Sequence, residues 1–186
     1  LPTTHPIVAD IPDLEAAKQN FDGITYAKGA SVLKQLVAYV GFDAFIAGSR
    51  QYFRDHEFAN TSLQDLLQAL SVASGRDLAD WARQWLQTSG ISTVAAEIVE
   101  DDGVLGAVTL QQEAIDPLTG HQELRPHRMR LGLYDTDSTG ALVRTENIDV
   151  DVAGPSTLVT ALNGKRRPAL LLVKDDDVCY VRERLD

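Results

Sequence analysis

The apolar positions of this chain keep two different periods, and the change falls near Gly90. Before it, apolar side chains recur every three or four residues, the spacing of one helix face. Tyr26, Ala30, Leu33, Val37 and Val40 step by four, three, four and three. Asp22 stands ahead of them, where a carboxylate can accept from the free amides of a first turn. Gly41 follows, where a helix stops readily. This predicts a helix between Asp22 and Gly41 that turns those five side chains to a core. A second helix carries Phe42, Phe45, Ile46 and Phe53. A third starts with Thr61 and Gln64 in capping-box spacing. It carries Leu63, Leu66, Leu67 and Leu70 and stops by Gly75. A fourth is capped by Asp77 and carries Leu78, Trp81, Ala82, Trp85 and Leu86. Pro2, Pro6 and Pro12 mark a lead ahead of the helices, and the short connections predict a compact helical array.

Beyond Gly90 the period drops to two. Val94, Ala96 and Ile98 alternate with other residues, as do Val108 and Leu110, then Met129, Leu131 and Leu133, then Ile148, Val150 and Val152. Alternation turns one face of each strand to a core. Turn signals separate the runs: Asp102-Gly103, Asp116-Pro117, Ser138 to Gly140, Gly154-Pro155 and Asn163-Gly164. "ALLLVK" from Ala169 and "VCYVRE" from Val178 add two late strands. About seven short strands predict a small antiparallel β-sandwich. The expected fold is therefore α+β in two parts, with residues 1–90 helical and residues 91–186 a β-sandwich.

Composition narrows the partners. Hydrophobic residues make up 44% of the 186, enough for a packed core and too many for wholesale disorder. The net charge of -10 repels phosphates and anionic lipid, so neither nucleic acid nor membrane is expected as a partner. No apolar run is long enough to cross a bilayer, and no basic-then-apolar leader stands at the start. One cysteine, Cys179, allows no internal disulfide and no Cys-based zinc site; it suits a reducing, cytoplasmic location. The first residue is Leu1 with no Met, which suggests a piece of a longer protein.

Candidate chemistry is sparse. "HEFAN" from His56 approaches the zinc motif H-E-x-x-H, but its fifth position is Asn60, whose amide is a poor zinc ligand. A helix-end histidine followed by a turn is expected there. His5, His121 and His127 have no metal-ligand spacing, and the last two fall in polar loop or strand-edge sequence. There is no G-x-S-x-G elbow, phosphate loop or dinucleotide fingerprint. Cys179, alternating with Tyr180 in a strand, is expected to be a buried structural thiol. Trp81 and Trp85, one helical turn apart, are expected to fill a core. Residue chemistry alone assembles no complete active site, and periodicity alone makes Tyr26 a core side chain.

Taken together, the motifs of the first half point further. The stretch from Phe21 to Gly90 resembles the M1 family of zinc aminopeptidases, the aminopeptidase N type. The resemblance rests on "FDGITYAKGA" with Tyr26, Lys28 and Gly29, on Gly41, and on Tyr52, Phe53, His56, Asn60 and Thr61. It continues through Asp65 and Leu66, then Ser74, Gly75 and Asp77, then Trp85 and Leu86. "HPI" at His5 to Ile7 and "LLLVKDDDVCYVRERLD" at the end are similar to the flanks of the same region. The resemblance implies the helical C-terminal part of a thermolysin-like catalytic domain followed by a β-sandwich. It also implies zinc in the full-length enzyme, bound by an H-E-x-x-H motif and a distant Glu, and a G-A-M-E-N-type segment for the substrate amine. Neither occurs in this chain, so no catalytic zinc is expected on it.

The position matching the family's catalytic tyrosine is Tyr26. In such a reaction a zinc-bound water attacks the peptide carbonyl, zinc stabilises the growing negative charge, and a protonated phenol is a second donor to it. Phe21 stands where the family places an aromatic near the pocket for the substrate's first side chain; the alternative is a hydrophobic staple onto the helix. Lys28 is a candidate dipole or ion-pair residue, and Gly29 a site of close helix packing. The implied function is a fragment of a zinc-dependent aminopeptidase acting on peptide substrates, inactive alone and working with the remaining domains of its chain. The alternative is a piece of a non-catalytic M1-like scaffold used for binding or assembly.

Overall fold

A computed structural model describes residues 4–184. Pro2 of the lead, and Leu185 and Asp186 of the final resembling stretch, lie outside the described residues. The chain forms two compact units, one over Pro6–Thr88 and one from Ser89 onward together with the residues before Pro6.

The first unit is helical. It contains α1 (Leu14–Gln19), a π-helical turn (Ile24–Lys28), α2 (Gly29–Val40), α3 (Phe42–Asp55), α4 (Leu63–Ser74) and α5 (Ala79–Leu86). The six-residue α1 was not expected; Asp13 starts it by accepting from the Ala16 amide at 2.8 Å, and it buries no side chain. Gly41 stops α2 with φ of 87°, and the chain bends by 107° there into α3. The α3 helix ends at Asp55, leaving His56 as the expected helix-end histidine. Leu78, just ahead of α5, and Trp81 and Trp85 within it are buried, as the period predicted, and Tyr39 stacks on Trp81 with centroids 6.2 Å apart.

Three details differ from the sequence expectation. The buried stripe of α2 is Lys28, Val32, Leu36 and Val40, with Gln35 beside it, while Tyr26, Ala30 and Leu33 are exposed. Both stripes keep helical spacing, and the polar Lys28 and Gln35 disguised the buried one. Phe42 and Phe53 of α3 are also exposed. The cap of α4 lies one residue later than expected. Asp65, not Gln64, closes the capping box by accepting from the Ser62 amide at 2.7 Å. Thr61 is not free to cap, because its hydroxyl is 2.6 Å from the Tyr52 hydroxyl.

The close helix approach is at Gly48, not Gly29. A Cβ at Gly29 would meet only Ile7 Cγ2, at an ordinary 3.9 Å, whereas one at Gly48 would lie 2.9 Å from Leu70 Cδ2 and 3.0 Å from the Ala69 carbonyl oxygen. Gly48→Ala should therefore destabilise the chain by about 1–3 kcal/mol through overpacking of α3 against α4. Urea unfolding of the two proteins checks this, with an unchanged midpoint as the contrary result.

The second unit is a two-sheet sandwich. Among the described residues it has β1 (Ser92–Asp101), β2 (Val104–Glu113), β3 (His127–Thr136), β4 (Leu142–Val152), β5 (Ser156–Leu158), β6 (Leu170–Leu172) and β7 (Val181–Arg184). One sheet runs β5-β2-β1-β7 and the other β4-β3-β6. The sandwich is not wholly antiparallel: β7 pairs parallel to β1, from Ser92↔Val181 to Ala95↔Arg184. Local alternation carries no information on which distant strand becomes a neighbour, so that pairing was not readable. Inward residues of both sheets, among them Val94, Val108, Leu110, Met129, Leu131 and Val152, share one core.

The acidic run Asp175–Asp177 is a tight turn that joins this framework. Asp175 is buried, accepting from the Tyr134 hydroxyl at 2.9 Å and pairing with Arg144 at 2.8 Å. Gly132 makes room for it, since a Cβ there would stand 2.5 Å from Asp175 Oδ2. Cys179 is buried as expected, but in the loop before β7 and not in a strand. Its thiol donates to the Arg128 carbonyl at 3.0 Å, and burial pushes its pKa up to about 12, so it stays protonated and unreactive.

Candidate active-site tyrosine

Tyr26 sits in the π-helical turn Ile24–Lys28, and the local sequence accounts for its placement. Asp22 Oδ1 accepts from the amides of Ile24 at 2.8 Å and Thr25 at 3.1 Å, which starts the turn as the sequence predicted. The Thr25 hydroxyl donates back to the Asn20 carbonyl at 2.6 Å, and the Tyr26 amide donates to the Asp22 carbonyl at 3.1 Å. The turn is thus fixed at three successive residues. A π turn inserts one extra residue into the helical ladder, and such turns are frequent at functional sites. Lys28, at its end, is only 6% exposed and its ammonium donates to the Thr88 carbonyl at 3.5 Å.

The tyrosine ring itself is not in the core. It is 58% exposed, against the buried position that periodicity predicted. Phe21 is 72% exposed and meets the Tyr26 ring edge to face, with centroids 4.9 Å apart. The structure therefore brings the two candidate residues together on one open surface. The Tyr26 hydroxyl makes no hydrogen bond among the described residues, so its proton can be offered to a bound molecule.

No group of three histidine, cysteine or acidic side chains among the described residues could hold a metal ion. His56 packs its ring 5.4 Å from that of Tyr52, and Asn60 follows in an irregular turn. The zinc implied by the family resemblance therefore has no fitting ligand set among the described residues.

A buried polar cluster in the sandwich unit went unread in the sequence. His127, placed by the sequence in polar loop or strand edge, is fully buried at the start of β3. Its Nε2 is 3.1 Å from Gln112 Oε1, which also accepts from the Arg125 amide at 3.1 Å. Arg125, equally buried, donates to the Ser89 carbonyl at 2.6 Å. The Ser89 amide donates to Asp116 Oδ2 at 2.8 Å, and Asp116 Oδ1 accepts from Leu118 and Thr119. Burial pushes the Asp116 carboxyl up, but the three amides, helped by the Arg125 charge, outweigh it and hold the group below its ordinary value. Burial, with Arg125 adding to it, depresses His127 to about 3. The cluster ties Ser89, the first residue of the sandwich unit, to β2, β3 and the loop between them. The only local signal was the Asp116-Pro117 turn.

Comparisons with known proteins agree with this geometry. The peptidase family M1 domain matches residues 1–85. Aminopeptidase N of Streptomyces lividans is 54% identical over all of this chain, which spans 22% of that protein. Tricorn protease-interacting factor F2 of Thermoplasma volcanium is 32% identical over 66% of the chain, and the match covers 15% of the relative. The crystal structure of Legionella pneumophila aminopeptidase A in complex with aspartic acid shares the fold, with a TM-score of 0.64 over 91% of this chain and 19% of its own, at 20% identity. The chain thus spans about a fifth or less of the length of these relatives, and within that span it belongs to the M1 peptidase family.

Proposed function

We propose that the protein containing this chain is a zinc-dependent aminopeptidase that removes N-terminal residues from peptides. This chain would supply the Tyr26 phenol as a donor in the transition state. The observation that carries the reading is the placement of Tyr26: a hydroxyl with no hydrogen-bond partner among the described residues, on an exposed ring, held by a π turn that Asp22 starts. When water attacks a peptide carbonyl, the carbonyl oxygen gains negative charge. A fixed O–H donor meets that charge without reorganising, which is where such groups act most strongly. Phe21, edge-on to Tyr26, would line the space for the substrate's first side chain. Among the described residues no group of three histidine, cysteine or acidic side chains could hold a metal ion, so this reading assigns metal binding and water activation to other segments of the protein.

Hydrolysis of aminoacyl reporter substrates tests the reading. The full-length protein is expected to release the reporter and to lose that activity on chelation, with zinc restoring it. The 186-residue chain alone is expected to bind no catalytic zinc and to release nothing. Zinc-dependent cleavage by the chain alone would overturn its assignment as an incomplete part, and an inactive full-length protein would favour a scaffold.

A further inference from the structure

The Tyr26 side chain has little of its own to hold it in place. Its ring is exposed, its hydroxyl has no hydrogen-bond partner among the described residues, and Phe21 meets it edge to face from an equally open position. The direction of the phenol is therefore set by the backbone beneath it, the turn Ile24–Lys28. A donor that meets a developing charge must be held closely. A misplacement of about 1 Å can cost a factor of about a hundred in rate.

The two ends of the turn are held differently. The far end is anchored by burial of Lys28, whose ammonium donates to the Thr88 carbonyl at 3.5 Å. The near end lies at the surface, where Phe21 and Gly23 are exposed. Gly23 stands at the capping position and has no side chain to cap with. Asp22, one residue earlier, reaches across it. Its Oδ1 accepts from the amides of Ile24 at 2.8 Å and Thr25 at 3.1 Å, which as first-turn amides have no partner within the helix. Its carbonyl accepts from the next amide, that of Tyr26, at 3.1 Å. Three consecutive amides, ending at the tyrosine, are thus bonded to one residue. The Thr25 hydroxyl, donating to the Asn20 carbonyl at 2.6 Å, fixes a side chain but none of those amides.

We propose that Asp22 is the positioning residue of the Tyr26 phenol. Its carboxylate aims the donor through the backbone of the turn and does not touch the substrate. This role rests on Tyr26 being the transition-state donor. The test is kcat of the full-length protein on an aminoacyl reporter, in single and double variants. Asp22→Gly removes the acceptor, and glycine at a cap costs little stability. It is expected to lower kcat about tenfold or more. KM should stay within about twofold, because Phe21 keeps its amide bond to the Lys18 carbonyl. Asp22→Asn keeps a side-chain oxygen that caps as well as Asp, so its kcat should stay within about threefold of the parent.

The double variant separates positioning from stability. In a Tyr26→Phe background, Asp22→Gly should change kcat by less than about twofold, because the donor it places is already gone. A cap that served stability alone would lower the active fraction by the same factor in both backgrounds. Asp22→Glu keeps the charge but lengthens the arm, and it should show the same loss and the same non-additivity. It tests the role even if the Gly variant misfolds. Additive losses in the double variant overturn the role of Asp22 alone. So does a loss in Asp22→Asn as large as in Asp22→Gly, or unchanged kcat at position 22 while Tyr26→Phe is impaired. An inactive full-length protein, or unchanged kcat in Tyr26→Phe, overturns the tyrosine reading and the role of Asp22 with it.

Discussion

Tyr26→Phe in the full-length protein is expected to lower turnover by about a hundredfold to a thousandfold, the loss typical of removing one oxyanion donor. The change removes a single oxygen. The ring keeps its edge contact with Phe21, and the backbone bonds that fix the π turn involve Asp22, Thr25 and Asn20, not the phenol. Because the hydroxyl bonds to nothing in the described chain, its loss should leave the unfolding midpoint unchanged. KM should change little, because the donor's bond strengthens only as charge develops on the carbonyl oxygen. Metal content should also be the same in both proteins. A fall in kcat alone is therefore the signature. Unchanged kcat would remove Tyr26 from the chemistry, and a fall in stability would return it to a structural role.

The opposite treatment of Tyr26 by sequence period and by structure has a physical cause. Residues 24–40 are apolar on two sides, so two stripes fit the same spacing. Periodicity favoured the one that holds Tyr26 and Leu33, while the fold buries Lys28, Val32, Leu36 and Val40. Only the company of Lys28, Gly29 and the downstream motifs distinguished Tyr26 from a core aromatic. Where one face dominates, period was sufficient: Leu78, Trp81 and Trp85 are buried as read. Competition between neighbours decided the cap of α4, since Tyr52 occupies Thr61 and leaves Ser62 and Asp65 to form it. Six-residue α1 and three-residue β5 are too short to show a period. The parallel placement of β7 and the burial of His127 depend on contacts far away in sequence, which no local pattern records.

Lowering the pH is expected to destabilise the sandwich unit through His127 well before carboxylates titrate. In the unfolded chain this imidazole takes up a proton near its ordinary 6.5; in the folded chain, burial first and the Arg125 charge second keep it neutral down to about 3. Below 6.5 the unfolded state therefore binds one more proton than the folded state, and stability falls with pH. The full contribution is present above 6.5. It declines by roughly 1.4 kcal/mol per pH unit, so about 3 kcal/mol is lost by about pH 4. Asp116, whose pKa is also depressed on folding, pushes in the same direction at more acidic pH. The range between 6.5 and about 5 therefore isolates the histidine. His127→Gln keeps a polar group beside Gln112 and cannot take a proton. Its stability at neutral pH should be lower, because Gln fills the imidazole site imperfectly, but its urea midpoint should be flatter across that range. Parallel pH dependence in the two proteins would show that His127 titrates alike in the folded and unfolded states, and so is not desolvated in solution.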